Sequence, residues 1–198
     1  PEAQYNLGNA LHIEGKLDTA IRSYRIALQL KPNSPDIHKN LGNALKDLGD
    51  INAAINSYNI ALQLKPNCPD TCINLSMAEL LAGDYKSGWH RYEYRLQSKE
   101  DREILHANPS CRLWNGEALM RGEKLLLVSE QGLGDTLQFM RYAIALRNQG
   151  ISVSVCAPRK LHALIQASGI DPSPLTSKQA NEVRDGKWIP LLTVPRYL

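Results

Sequence analysis

The sequence predicts two folds in series: an α-helical repeat solenoid of about three helix pairs, then a partial α/β unit with parallel strands. Three observations carry this. The stretch "NALHIEGKLDTAIRSYRIALQLKPN" returns as "NALKDLGDINAAINSYNIALQLKPN", shifted by 34 positions. Beyond residue 122 the repeat gives way to short apolar runs alternating with helical patterns. The composition, 43% hydrophobic and 22% charged over 198 residues, suffices for one large core or two small ones.

The repeat is traced residue by residue. Leu7-Gly8, Ala20, Tyr24, Ala27 and Pro32 recur as Leu41-Gly42, Ala54, Tyr58, Ala61 and Pro66. A third, partial copy has Leu75-Ser76, with Gly88 in the Ala20 slot and Tyr92 in the Tyr24 slot. Small residues at these slots let paired helices approach closely, and Gly15, Gly49 and Gly83 fall at the turns. Helices are expected near 2–14, 18–30, 36–48, 52–64, 70–82 and 86–97, in repeats 1–34, 35–68 and 69–97. Period and positions resemble the tetratricopeptide repeat (TPR). The resemblance implies a superhelix with the first helix of each pair on its concave face.

Asn6, Asn40 and Asn74 share one repeat position along that face, and Asn9 and Asn43 share another, which Met77 ends in the third repeat. Two roles are open to these amides. They can donate to and accept from the backbone of an extended peptide, or bond locally between neighbouring helices. The repeats resemble the TPR superhelix of O-linked N-acetylglucosamine transferase, where such a ladder holds substrate polypeptide. That resemblance implies a polypeptide ligand. Trp89, Tyr92 and Tyr94 are large for a middle repeat and read as a cap on the end of the solenoid, and His90 as a surface residue.

Residues 98–122 lose the period and read as a linker, with a short helix over "SKEDREILHAN" and Trp114 anchoring the two halves. From 123 to 198 the pattern is that of a partial Rossmann-like unit. Lys124 to Ser129 is a continuous apolar run, as in a strand buried on both faces. Asp135 to Gln149 reads as a helix stopped by Gly150, and Ile151 to Ala157 as the next strand. "PRKLHALIQASG" is a second helix, and "WIPLLTVP" a candidate third strand. Strand–helix–strand–helix implies a parallel sheet. The turn "EQGLGDTLQF" lacks the third glycine and the acidic residue of a dinucleotide fingerprint, and lacks the Gly-Lys-Ser/Thr of a P-loop.

"GWHRYEYRL", "CRLWNGEAL", "LLLVSEQGLGDTLQFMRYAIALRNQG" and "WIPLLTVPRYL" together resemble bacterial TPR proteins that carry a heptosyltransferase-like domain of glycosyltransferase family 9, with the GT-B fold. The resemblance spans about 86–198. It implies that this is the acceptor-binding lobe, that a nucleotide-sugar donor binds a second lobe of a full-length parent, and that Asp135 is the general base. Gly132 and Gly134 would shape the acceptor loop, with Glu130 and Gln131 touching the acceptor or solvated. A second reading of Asp135 stands beside this one: Asp-Thr-Leu-Gln is a capping arrangement, with Asp135 as N-cap and Gln138 at the third helical position.

Several function classes are disfavoured. The net charge of +3 is small and scattered, unlike a nucleic-acid or anionic-membrane surface. No apolar run reaches spanning length and no signal peptide opens the chain, so a cytoplasmic location is expected. Cys68 and Cys72 lack metal-site spacing, and all four cysteines read as reduced thiols with no metal or cofactor in this chain. Since GT-B needs two lobes, the chain is expected to be an inactive piece of a longer protein, whose incomplete sheet offers an edge for self-association. The function expected is a protein-binding scaffold in a glycosyltransferase-related context. The alternatives are an active parent glycosyltransferase and a non-catalytic structural platform.

Overall fold

The computed structural model describes residues 1–97, 104–130 and 132–198. Two compact units emerge, Pro1–Gln97 and Ser98–Leu198. The first holds α1 (Glu2–Ile13), α2 (Leu17–Leu30), α3 (Pro35–Leu48), α4 (Ile51–Leu64), α5 (Pro69–Leu81) and α6 (Tyr85–Tyr92), each helix packing on the next. Pro35 and Pro69 open α3 and α5, where the missing N–H has no helical partner to lose. Asp50 and Asp84 cap α4 and α6, accepting from the backbone N–H of Ala53 and Ser87 at 3.2 and 3.1 Å. At the turns Gly15, Gly49 and Gly83 take φ of 73°, 93° and 84°, where a side chain would be strained.

Close packing inside each pair needs the glycine that recurs at 34-residue spacing. A Cβ on Gly8 or Gly42 would lie 2.6 Å from the Tyr24 or Tyr58 ring. Both tyrosines are fully buried, as are Ala20 and Ala54 beside them. The third pair solves the same problem differently. Ser76 fills the glycine slot, and Gly88 moves to the alanine slot, where a Cβ would meet Leu80 at 2.7 Å. The expected helix over 86–97 is shorter than its pattern implies: α6 ends at Tyr92 and Glu93–Leu96 form a 3-10 turn. Buried Arg95 donates to the Tyr92 carbonyl at 3.2 Å and to Glu93 Oε1 at 2.8 Å, and its cation lies over the Tyr92 ring. This satisfies a carbonyl that a continuing α-helix would otherwise use.

The second unit is a parallel sheet of β1 (Arg112–Leu113), β2 (Lys124–Val128), β3 (Ser152–Cys156) and β4 (Lys187–Pro190), in the order β1-β4-β2-β3. Between strands run α7 (Leu133–Asn148), α8 (Arg159–Ala167) and α9 (Ser177–Asn181), and the 3-10 helix Leu191–Arg196 follows β4. Register pairs Leu127 with Val155 on one side and Ile189 on the other. Leu126, Val128, Cys156 and Trp188 form one core cluster with Ala107, Cys111 and Ala180. Leu125 and Leu127, on the opposite face, are also buried, and α7 packs against β3 and the last 3-10 helix. Burial of both faces explains why β2 reads as an unbroken apolar run.

One expectation for the connector is corrected. Residues 104–122 belong to the second unit: β1 pairs with β4, Trp114 N–H donates to the Trp188 carbonyl at 2.7 Å, and the Trp114 ring packs on Tyr197. A two-residue strand is too short to show alternation. The helix expected over "SKEDREILHAN" lies outside the described residues for 98–103; beyond them Leu105 bridges antiparallel to Glu130.

Candidate functional site

The asparagine ladder is built by the same 34-residue operation as the core. Tyr24 O–H donates to Asn9 Oδ1 at 2.8 Å, and Asn40 Nδ2 of the next repeat donates to the same oxygen at 2.9 Å. One repeat on, Tyr58 O–H donates to Asn43 Oδ1 at 2.8 Å and Asn74 Nδ2 joins it at 3.0 Å. The two columns foreseen as separate are therefore cross-linked in pairs, Asn9 with Asn40 and Asn43 with Asn74, each pair anchored by a buried tyrosine. Asn40 also donates to Tyr5 O–H at 3.0 Å. Burial and then the neighbouring Tyr5 push the Tyr24 phenol up to about 12, and burial likewise raises Tyr58, so both hydroxyls stay protonated donors.

Local bonding between helices, one of the two roles the sequence left open, is what Asn9, Asn40, Asn43 and Asn74 do. It does not exhaust them. Among the described residues the Nδ2 groups of Asn9 and Asn43 and the Oδ1 atoms of Asn40 and Asn74 have no partner, and Asn6 is exposed without one. Each step thus presents a fixed donor beside a fixed acceptor. Met77 stands exposed in the slot after Asn43 and ends the series. The tyrosines were visible in the repeat, but their hydroxyl bonds to the ladder were not foreseen.

The turn after β2 is arranged differently from its expected capping. Gly132, not Asp135, is the N-cap of α7, with φ −80° and ψ 166°, and the first helical residue is Leu133. Asp135 is the third residue of the helix, half-buried, with no hydrogen-bond partner among the described residues. Its charge there is favourable to the helix dipole without capping it. Neither Gly132 nor Gly134 has the positive φ that requires glycine. What they leave is room: a Cβ on Gly134 would meet nothing, and one on Gly132 only the Asp135 carboxylate at 3.7 Å. Gln131 lies outside the described residues.

Glu130 is neither solvated nor presented to a ligand. It is fully buried, and its Oε1 accepts from the Leu192 N–H at 3.0 Å, holding the turn out of β4. His106 was not foreseen at this end of the sheet. Its Nδ1 lies 2.9 Å from the Ser129 carbonyl and 3.0 Å from the Ser129 hydroxyl. A carbonyl only accepts, so Nδ1 carries the proton in this bond. No periodic signal marks a residue held by an isolated bridge, which is why His106 was missed. Burial pushes Cys72 and Cys111 up and Cys156 up to about 11, so these three thiols are protonated at neutral pH.

Residues 8–49 match the family model described as TPR repeat, and residues 35–68 the model described as tetratricopeptide repeat. The helical unit is a solenoid of such repeats. No curated protein matches the chain. Among solved structures, the chain is similar to the Sgt2 TPR domain from Aspergillus fumigatus, at 22% identity over 52% of this chain and 72% of that one, with a TM-score of 0.47. It is also similar to the first TPR of Spaghetti (RPAP3) bound to the HSP90 peptide SRMEEVD, at 20% identity over 51% and 83% with a TM-score of 0.46. A third similarity is to the TPR2B-domain:pHsp70 complex of yeast Sti1, at 20% identity over 52% and 81% with a TM-score of 0.47.

Proposed function

We propose that the chain is a polypeptide-binding scaffold that grips an extended peptide by its backbone along the asparagine ladder. One observation carries the reading: the Tyr–Asn–Asn unit occurs twice at 34-residue spacing and leaves an unpartnered amide donor and carbonyl acceptor at each step. Neighbouring first helices of stacked pairs stand roughly 10 Å apart, and an extended strand covers that in about three residues. In an extended chain of polyproline II form, with three residues per turn, each step then meets a backbone amide on the same side. Side-chain amides fixed by bonds to buried tyrosines have little rotamer freedom left to lose on binding.

The test is a panel of extended, uncharged dodecapeptides titrated into the chain. Binding should survive scrambling of the peptide side chains and be lost on N-methylation of the backbone. Asn40→Ala with Asn74→Ala should weaken it about tenfold, the loss of roughly two neutral hydrogen bonds, with helicity unchanged. Equal binding by the N-methylated peptide sinks the reading.

A second reading rests on Asp135, an unpartnered carboxylate in the first turn after β2, where β3 and β4 flank β2 on opposite sides. In it, the chain belongs to a longer glycosyltransferase of the heptosyltransferase type. The Asp135 carboxylate takes the proton of the acceptor hydroxyl as that oxygen bonds to the sugar's anomeric carbon and the nucleotide leaves with the bonding electrons. Transfer from nucleotide sugars by a carboxyl-terminally extended form, abolished by Asp135→Asn, is the expected result. No transfer by any extended form rejects it, and the scaffold reading stands unaffected.

A further inference from the structure

The third repeat departs from the first two at a pair of facing positions. Where they have Leu11 and Leu45 it has Glu79, and where they have Ser23 and Ser57 it has Arg91. Glu79 is buried, and Arg91 Nε donates to its two carboxylate oxygens at 3.3 and 3.2 Å. Burying an ion pair sacrifices hydration that the attraction only partly restores, so such a pair is weak evidence for a stabilising role. Here the same scaffold is built twice with leucine and serine instead. The fold has no need of Glu79 and Arg91, and what they add is a guanidinium held in one orientation.

Only the Nε of Arg91 is engaged; among the described residues its two terminal NH₂ groups have no partner. Arg91 lines a cavity of about 500 Å³ together with Asn56, Asn59, Leu62 and Gln63 of α4 and Cys72 of α5. Arg91 is the one charged side chain among the lining residues. The amides are themselves a departure: Asn52, Asn56 and Asn59 replace Asp18, Arg22 and Arg25 of the first repeat, leaving α4 without a charged residue. All three, and Gln63, are exposed.

We propose that this cavity binds the carboxylate of an otherwise uncharged polar ligand. The terminal fork of Arg91 takes the two carboxylate oxygens, and the α4 amides take the hydrogen-bonding groups beside it. A dianionic phosphate fits poorly, since the one cation among the lining residues is already paired with Glu79 and α4 brings no second charge. None of the ladder asparagines lines this site, and it does not depend on that ladder's binding a peptide.

Two sources of such a carboxylate are a peptide carboxyl terminus and an acidic sugar. The probes are acetyl-Ala-Asn-Ala as the free acid and glucuronate, each titrated into the full chain against its neutral counterpart, the tripeptide amide or glucose. At least one acid should bind about tenfold or more tighter than its neutral counterpart, and which one binds identifies the source. The deciding variant restores the pair of the other repeats, Glu79→Leu with Arg91→Ser. It should fold with unchanged helicity and melting temperature at least that of the parent, and lose the acid's advantage. Arg91→Lys, which keeps charge without the fork, should lose most of it as well. Unfolding of the double variant would make the pair structural and overturn the proposal, as would acid binding that survives in it or is matched by the neutral probes.

Discussion

The two units solve the problem of a core in opposite ways. In the helical unit a contact that works is used again: glycine under tyrosine occurs at Gly8–Tyr24 and Gly42–Tyr58, and tyrosine on asparagine at Tyr24–Asn9 and Tyr58–Asn43. In the sheet unit each contact is made once, as when Leu127 alone stands between Val155 and Ile189. A repeating unit thus carries its own controls. A residue that breaks the pattern, such as Arg91, can be judged against siblings that do without it. The sheet unit has no sibling positions, so a residue such as Asp135 is judged by its place relative to the strand ends.

If that contrast is physical, single-use contacts should be the more costly to lose. The largest effect is expected for Leu127→Ala, which empties a fully buried position between two strands and should cost about 3–4 kcal/mol in urea unfolding of the sheet unit. Gly42→Val comes next. Its Cβ would fall 2.6 Å from the Tyr58 ring in the middle repeat, flanked on both sides, and overpacking there should cost about 2–3 kcal/mol. A neutral Gly42→Val, read by circular dichroism in urea, would mean that the tyrosine has another place to go and that the glycine is not what sets the pair spacing.

Tyr24→Phe and Tyr58→Phe test the reuse itself. Each removes one donor from an asparagine oxygen that keeps a second donor from the next repeat, so about 1 kcal/mol is expected from each. The costs should agree, because the two sites are copies. Unequal values in paired urea titrations would show that position in the array matters more than the local bond.

What was legible in the sequence follows the same division. Apart from the end of α6, the helices of the first unit could be placed to within a residue or two because their boundaries are marked: Pro35 and Pro69 at starts, Gly15, Gly49 and Gly83 at stops. The strands β2 and β3 could be read because burial sets their composition. What escaped notice was what depends on distant partners. The strand at Arg112–Leu113 exists only because β4 arrives beside it. Gly132 rather than Asp135 became the cap because the chain turned three residues earlier than the Asp-Thr-Leu-Gln pattern suggests. The helix Ser177–Asn181 carried a readable sign, the Thr176–Gln179 capping box, which was not used. For the ladder, the columns were visible, but the asparagine bonds that link them and the tyrosine bonds that anchor them are tertiary.

The smallest effect expected separates the third repeat from the second at a single hydroxyl. Asp50 and Asp84 occupy the same capping position, but Ala53 follows the first where Ser87 follows the second. Asp84 accepts from the Ser87 side chain as well as its N–H, and these two bonds, in that order, hold its carboxyl below the usual range. A carboxyl depressed in the folded state favours folding at neutral pH, and that contribution disappears as pH falls through its folded value. Ser87→Ala should therefore weaken the helical unit slightly at pH 7, and the gap between variant and parent should close below about pH 4 as the carboxylate protonates. Carbon-13 titration of Asp84 should show its midpoint moving up in the variant. A gap that persists undiminished at pH 2.5 would mean that the serine acts through packing, and that the third repeat's cap is no different in kind from the second's.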